Sequence, residues 1–245
     1  MENENTNIEI KENIFNILKK YEDDKNKHKI DKLNVILVGR KNIGKTDLVY
    51  YMLKKDPEIN HNNNLNRDYS EYTSEKVPIL KLIEYKGIGF NKDSNPEKIC
   101  KQIYEFINKI KKINPIHCIW YCISSTKFES PEIAVLNKLK RSYGDDNILP
   151  VIVVYTQIDD EDITEQMKAH IEKQNIKTNF IKTLAKNIKL NRTNEIKHAY
   201  GDEELLAATL EKCKNALQSD LIKVMLENIS ESVKNELITK NKNIK

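Results

Sequence analysis

Leu33–Thr46 reads L-N-V-I-L-V-G-R-K-N-I-G-K-T, an unbroken apolar run that empties into a loop bounded by glycines. The phosphate-loop pattern G-x-x-x-x-G-K-T is complete across Gly39, Arg40, Lys41, Asn42, Ile43, Gly44, Lys45 and Thr46, with Asp47 next. Its glycines allow the backbone to curl so that successive N–H groups face an anion. In such a loop the lysine, Lys45, reaches the outer phosphates and the Thr46 hydroxyl ligates a magnesium ion. The flanks agree with this reading. Leu33–Val38 has the composition of a buried strand, and Lys45–Lys55 carries a helical pattern, D-L-V-Y-Y-M-L at 47–53. A strand, a phosphate loop and a helix in that order decide the fold.

Reading outward, strand-like and helix-like segments alternate. Strands are expected at Thr73–Val77, Ile79–Tyr85, Ile116–Ile123, Leu149–Tyr155 and Thr178–Leu184. The runs I-H-C-I-W-Y-C-I and L-P-V-I-V-V-Y are almost wholly apolar, as parallel strands covered on both faces should be. Helices are expected near Pro96–Ile113, Pro131–Tyr143 with Ser130 as cap, Asp162–Gln174 and Asp202–Gln218. The alternation predicts right-handed crossovers and a mostly parallel, six-stranded sheet between two helical layers. Asp56–Tyr72 is polar and asparagine-rich, a long loop of the kind that carries function or lacks order.

Three regions are expected: a helix and charged linker over 1–32, the α/β domain over 33–218, and a helical extension with a tail over 219–245. The apolar stripe Ile8, Ile10, Ile14, Phe15, Ile17, Leu18, Tyr21 is expected to pack on the domain, with a partner or peripheral membrane face as the alternative. Leu221, Val224, Met225, Ile229, Val233 and Leu237 make a second stripe, for docking or for dimer formation.

With 245 residues and 39% hydrophobic content, the chain can build one large α/β domain with a substantial core. Its mean hydropathy of −0.65 and its 32% charged residues call for a well-solvated surface. The net charge of +4 comes from well-mixed signs, without the basic stripe of a nucleic-acid binder. Cys100, Cys118, Cys122 and Cys213 follow no zinc spacing and read as buried thiols. The opening M-E-N-E-N-T-N holds no secretory core, and no apolar run reaches the roughly eighteen residues of a spanning helix. A cytoplasmic protein is expected.

A phosphate loop does not choose its base. After Leu149–Tyr155 comes Thr156-Gln157-Ile158-Asp159. A carboxylate there can accept two hydrogen bonds from the ring N–H and exocyclic amine of guanine, a pair that adenine does not offer. Asp159 is therefore the candidate guanine reader, with a helix-capping aspartate as the plain alternative.

At these residues the chain resembles the G domains of translation-factor-related GTPases, particularly the Era-like and septin-like branch, over roughly 33–189. The resemblance implies a three-layer α/β/α Ras-like G domain that binds GTP and GDP with Mg²⁺. It assigns Thr156, Gln157 and Asp159 to base recognition, with Gln157 where the family carries lysine. Thr183-Leu-Ala-Lys186 resembles the family's Ser-Ala-Lys, which would bring the Ala185 N–H and Lys186 to the guanine. Glu84-Tyr-Lys-Gly87 stands where the family has Asp-x-x-Gly: Gly87 would sense the γ-phosphate, and Glu84 would face the metal. Thr73 is placed as the switch threonine that reaches metal and γ-phosphate, with Ser74 as a substitute. The implied metal residues are thus Thr46, Thr73 and Glu84, and the implied catalytic residues Lys45, Thr73 and Gly87.

Ile88 occupies the place where Ras-like enzymes carry a water-orienting glutamine. Slow GTP hydrolysis is therefore expected, with acceleration by an activating partner or a second copy of the chain. Arg40, Lys41 or Arg67 could supply charge in trans. A nucleotide-binding module with little or no turnover is the alternative. An ATP-using phosphoryl-transfer enzyme is a third reading, but it predicts an arginine-rich lid, and only Arg67 lies between the loop and Ile79–Tyr85.

Overall fold

The computed structural model describes residues 32–54, 58–59, 68–77, 80–89, 94–124, 130–144, 149–156, 161–173, 179–189 and 196–213. Strand β1 (Leu33–Gly39) leads through the loop into helix α1 (Lys45–Met52), as the sequence predicts. A two-residue strand β2 (Glu58–Ile59) precedes β3 (Tyr69–Thr73) and β4 (Leu80–Tyr85). Then come α2 (Pro96–Lys111), β5 (Cys118–Ser124) and α3 (Ser130–Leu139), which runs into a π-helical turn over Lys140–Gly144. Strand β6 (Val151–Thr156), α4 (Glu161–Lys173) and β7 (Asn179–Lys182) follow. A short hairpin, β8 (Ile188–Lys189) with β9 (Ile196–Lys197), precedes α5 (Asp202–Cys213).

The main sheet has the order β2-β3-β4-β1-β5-β6-β7. Its pairs β4–β1, β1–β5, β5–β6 and β6–β7 are parallel, while β3 runs antiparallel beside β4 with Ser70 opposite Glu84. The expected six-stranded, mostly parallel sheet is present, with β2 as a further two-residue edge. The four parallel pairs need crossover connections that run through helices, which is why β1, β5 and β6 are buried along their whole length.

Alternation along the strands sorts the core into two halves. Leu33, Val35, Leu37, Leu82, Trp120, Cys122, Ile152 and Val154 face α1 and α5. Ile36, Val38, Ile83, Ile119, Tyr121, Ile123, Val153 and Tyr155 face α2, α3 and α4. Cys118 and Cys122 share the first face, as their spacing predicts, and all four thiols are buried. Helix α2 begins with Asn95, whose side chain accepts from the N–H groups of Glu97 and Lys98, followed by Pro96. Its Ile99, Ile103, Phe106, Ile107 and Ile110 form the inward stripe. Helix α5 is pinned to the sheet by fully buried Trp120, whose Nε1–H donates to Thr209 Oγ1 at 2.9 Å. No described helix is long and apolar enough to cross a membrane.

One strand differs from expectation. Thr73–Val77 was the expected second strand, but the strand is Tyr69–Thr73, and residues 74–77 turn the chain back toward β4. Ser74 forms that turn, its Oγ accepting from Lys76 N at 3.1 Å. Tyr69, Glu71 and Tyr72 are the buried positions of this strand. The expected terminal stripes at 8–21 and 221–237 lie outside the described residues, as does Arg67.

Candidate phosphate and nucleotide site

The site lies where the C-terminal ends of the parallel strands meet the loop Gly39–Thr46. Gly39 leaves β1 with φ +150°, and a Cβ there would stand 2.3 Å from the Cys122 carbonyl oxygen. Asn42 (φ 60°) and Gly44 (φ 88°) hold the left-handed conformations that curl the loop into α1. The loop is bound to the chain after β4: Lys41 N donates to Ile88 O, and Ile88 N to Gly39 O, each at 3.1 Å.

Lys45 is 3% exposed, and its ammonium donates to the Arg40 carbonyl at 2.8 Å. Burial holds its pKa below the ordinary lysine value, against the opposing pull of Cys122 and Glu84. Gly87 has φ +100°, and a Cβ there would lie 2.9 Å from Lys45 Nζ and 3.0 Å from Lys41 Cα. Gly87 therefore lies against the lysine head.

Thr46 and Glu84 come together. The Thr46 hydroxyl lies 2.9 and 3.0 Å from the two Glu84 carboxylate oxygens. The extra methylene of glutamate thus still delivers its carboxylate to the threonine. Tyr72 donates its hydroxyl to Glu84 Oε2 at 3.2 Å, and burial first, then that carboxylate, push its pKa up to about 12. Asn42, Gly44, Lys45, Thr46, Asp47, Glu84 and Lys86 enclose a cavity of 270 Å³. A hydroxyl and a carboxylate facing such a cavity are the hard oxygen donors that magnesium takes, completed by waters and phosphate oxygens. These residues fit the ion.

The end of β6 and the segment that follows β7 also converge on the loop and on the first turn of α1. Thr156 is buried, and its Oγ1 lies in hydrogen-bond reach of Ile43 O and, at 3.2 Å, of Ile123 O. The threonine thereby clamps the phosphate loop to the ends of β5 and β6 instead of facing outward. Thr183 continues beyond β7 and hydrogen-bonds Tyr155 O through both its N–H and its hydroxyl, each at 2.8 Å. Leu184 pairs with Tyr200, which leaves Ala185 half-buried and Lys186 exposed beside α1. Lys186 forms an ion pair with Asp47 at 2.7 Å, joining this segment to the first turn of α1. Gln157 and Asp159 lie outside the described residues.

Two expectations are corrected. Thr73 does not approach the site: it pairs with Glu58 at the far end of β3, about 10 Å along the strand from Ser70, the residue opposite Glu84. The register thus places Thr73 away from Thr46 and Glu84, and Ser74 follows it into the turn that leads to β4. Arg40 does not face out for a partner. Its guanidinium turns inward to Glu132 of α3, Nη2 to Oε2 at 2.8 Å and Nε to Oε1 at 3.3 Å, with Glu132 only 1% exposed.

Sequence reasoning passed over Glu132, Tyr72 and Lys86. Nothing local in the sequence marks Glu132. Lys86 carried a signal, since it lies two residues beyond Glu84 and so shares that residue's side of the strand. The Ile88 side chain is buried in the core beside α2 and carries no polar atom.

No family model matches the chain. Among curated proteins it is 30% identical over 112 residues to a probable GTP-binding protein EngB of Methanococcus aeolicus, a match covering 44% of this chain and 48% of that protein. The chain thus spans about half the length of that relative. Among solved structures it is similar to the G domain of the T. maritima FeoB iron transporter (TM-score 0.47, 18% identity, 74% of this chain and 98% of that one). It is also similar to Aquifex aeolicus Era bound to GDP and AlF4⁻ (0.45, 17%, 74% and 56%). A third is a nucleolar GTP-binding protein 1 from Plasmodium falciparum (0.46, 16%, 85% and 98%). The phosphate loop after the first strand, the antiparallel β3 beside β4 and the sheet order built around β1 make the described domain an α/β domain with a phosphate loop at the end of its central strand.

Proposed function

We propose that the chain binds guanine nucleotides and hydrolyses GTP slowly to GDP and phosphate. The observation that carries this is the convergence of Lys45, Thr46 and Glu84 on one cavity, with Gly87 against the Lys45 head, Thr156 anchored to the loop and Lys186 to the first turn of α1. The loop amides and Lys45 hold the outer phosphates and stabilise the negative charge that grows there during transfer. The Gly87 N–H adds a donor at the γ-phosphate. Thr46 and Glu84 would hold magnesium, which supplies positive charge to the phosphate oxygens. Thr156 sets the loop against the base side, where Ala185 N–H meets the guanine oxygen and Lys186 and Gln157 flank the ring. Asp159 reads the two guanine donors.

The attacking water has no described side chain to orient it, because Ile88 is turned into the core. That burial favours the second reading, a nucleotide-binding interaction module without significant turnover. Both readings put guanine nucleotide in the same site. An activating partner, or another copy of the chain, would supply the absent group in the first.

Competition of GTP, GDP and ATP against a labelled guanine nucleotide tests base choice. GTP and GDP should displace the label and ATP should not, and Asp159→Asn should move preference toward xanthine nucleotides. ATP preference would exclude the assignment. Single-turnover phosphate release at two protein concentrations separates enzyme from module: no release over hours supports the module, and release that rises with concentration supports activation between copies.

A further inference from the structure

We propose that Lys86 is a second phosphate-binding lysine, one that lends the nucleotide's terminal phosphate positive charge and lets this chain hold a nucleoside triphosphate without a divalent cation. This rests on the guanine-nucleotide reading above. Lys86 lines the same cavity as Lys45, Thr46 and Glu84. It follows β4 at the position where alternation returns to the Glu84 side, while Tyr85 between them turns the other way to stack on Phe106, ring centroids 4.6 Å apart. Its main chain is fixed: Lys86 N donates to Asp68 O at 2.8 Å, and the neighbouring Tyr85 is in register with Tyr69. Gly87 then turns sharply against Lys45 and Lys41.

The charges around the cavity explain why this ammonium matters. Its carboxylates are Glu84 and Asp47. Asp47 is paired with Lys186 at 2.7 Å. Glu84 is satisfied by hydroxyls, those of Thr46 and Tyr72. Neither carboxylate takes up Lys86, which is exposed and has no carboxylate partner among the described residues. An unneutralised cation on a fixed backbone, beside a cradle of loop amides and Lys45, borders the place where a triphosphate would carry most of its charge. In a partly enclosed cavity one such charge at contact distance is worth several-fold to tenfold in affinity. A divalent ion and Lys86 neutralise the same oxygens, so each should matter most when the other is absent.

The full chain, with and without Lys86→Gln, is titrated with a fluorescent non-hydrolysable GTP analogue and with labelled GDP, in magnesium and in EDTA. Wild type is expected to keep triphosphate binding in EDTA within about tenfold of its value in magnesium. Lys86→Gln should lose about tenfold or more for the triphosphate in EDTA, about threefold or less in magnesium, and less for GDP. Lys86→Arg should restore EDTA binding. Equal loss by Lys86→Gln in both buffers, or none in EDTA, overturns the role of Lys86 while leaving the guanine-nucleotide reading intact. A wild-type chain that binds no guanine nucleotide in either buffer overturns both. Unchanged thermal midpoints of the nucleotide-free variants show that the fold is intact.

Discussion

Gly87 shows how closely one residue is held to its task. Its backbone is left-handed at φ +100°, and the nearest atoms to an added Cβ are Lys45 Nζ and the Lys41 backbone and stem. Alanine there would strain the backbone and crowd the lysine head. Gly87→Ala should therefore weaken binding of a GTP analogue at least tenfold, and GDP binding much less, as read by parallel titrations. Equal losses for the two would place Gly87 away from the terminal phosphate. Cys122 shows the opposite case, a reactive residue type made inert. Its thiol sits behind Gly39 in the core, and burial pushes its pKa up to about 12. A thiol so protonated and enclosed is packing, not chemistry.

Elements with a single strong period were legible in the sequence, and those set by register were not. The strand–loop–helix unit at Leu33–Met52, the inner strands β5 and β6 and the inward stripe of α2 all declare themselves through apolar runs or helical spacing. The antiparallel β3 does not. Y-S-E-Y-T is polar enough to pass as loop, and its burial comes from Tyr69, Glu71 and Tyr72 packing across the sheet. Misplacing that strand misplaced Thr73, because a shift of a few residues carries a side chain from one end of a hairpin to the other. Glu71 illustrates the difficulty: it is buried in an ion pair with Lys81 at 2.8 Å, which no local pattern announces. The hairpin β8–β9 was equally hidden, since two-residue strands have no period to read.

Joints between elements were also illegible, and Thr156 is the main one. Its hydroxyl proton is shared between the Ile43 and Ile123 carbonyls, so it ties the phosphate loop to the sheet. Thr156→Val keeps the shape and removes the donor, leaving buried carbonyls without their partner at a cost of about 1–3 kcal/mol. The urea midpoint should fall accordingly, nucleotide affinity should drop with it, and Thr156→Ser should recover both. Loss of stability with unchanged affinity would mean that the clamp does not shape the loop.

At the scale of the whole molecule, the end of the sheet opposite the site carries a proton-sensitive joint. His117, just before β5, accepts the Asn34 N–H on Nδ1 at 2.9 Å, while its carbonyl receives the Cys213 thiol at 3.3 Å. Asn34 Nδ2 donates to Pro115 O at 2.7 Å. One imidazole thus joins the start of β1 and the approach to β5, and the same residue's carbonyl holds the end of α5. Burial lowers its pKa to about 4 from the ordinary 6.5. The folded state therefore stays neutral where the unfolded chain takes up a proton, so this contribution is complete above pH 6.5. It is lost progressively as pH falls toward 4, and is spent below that. At about 1.4 kcal/mol per pH unit the loss is on the order of 3 kcal/mol. His117→Asn retains an acceptor near the Nδ1 position and cannot titrate. Urea midpoints of the variant between pH 7 and 4.5 should fall less steeply than those of wild type, the two curves converging or crossing at the acid end. Parallel curves over that range would mean that the bond from Asn34 to Nδ1 contributes nothing to the acid sensitivity of the fold.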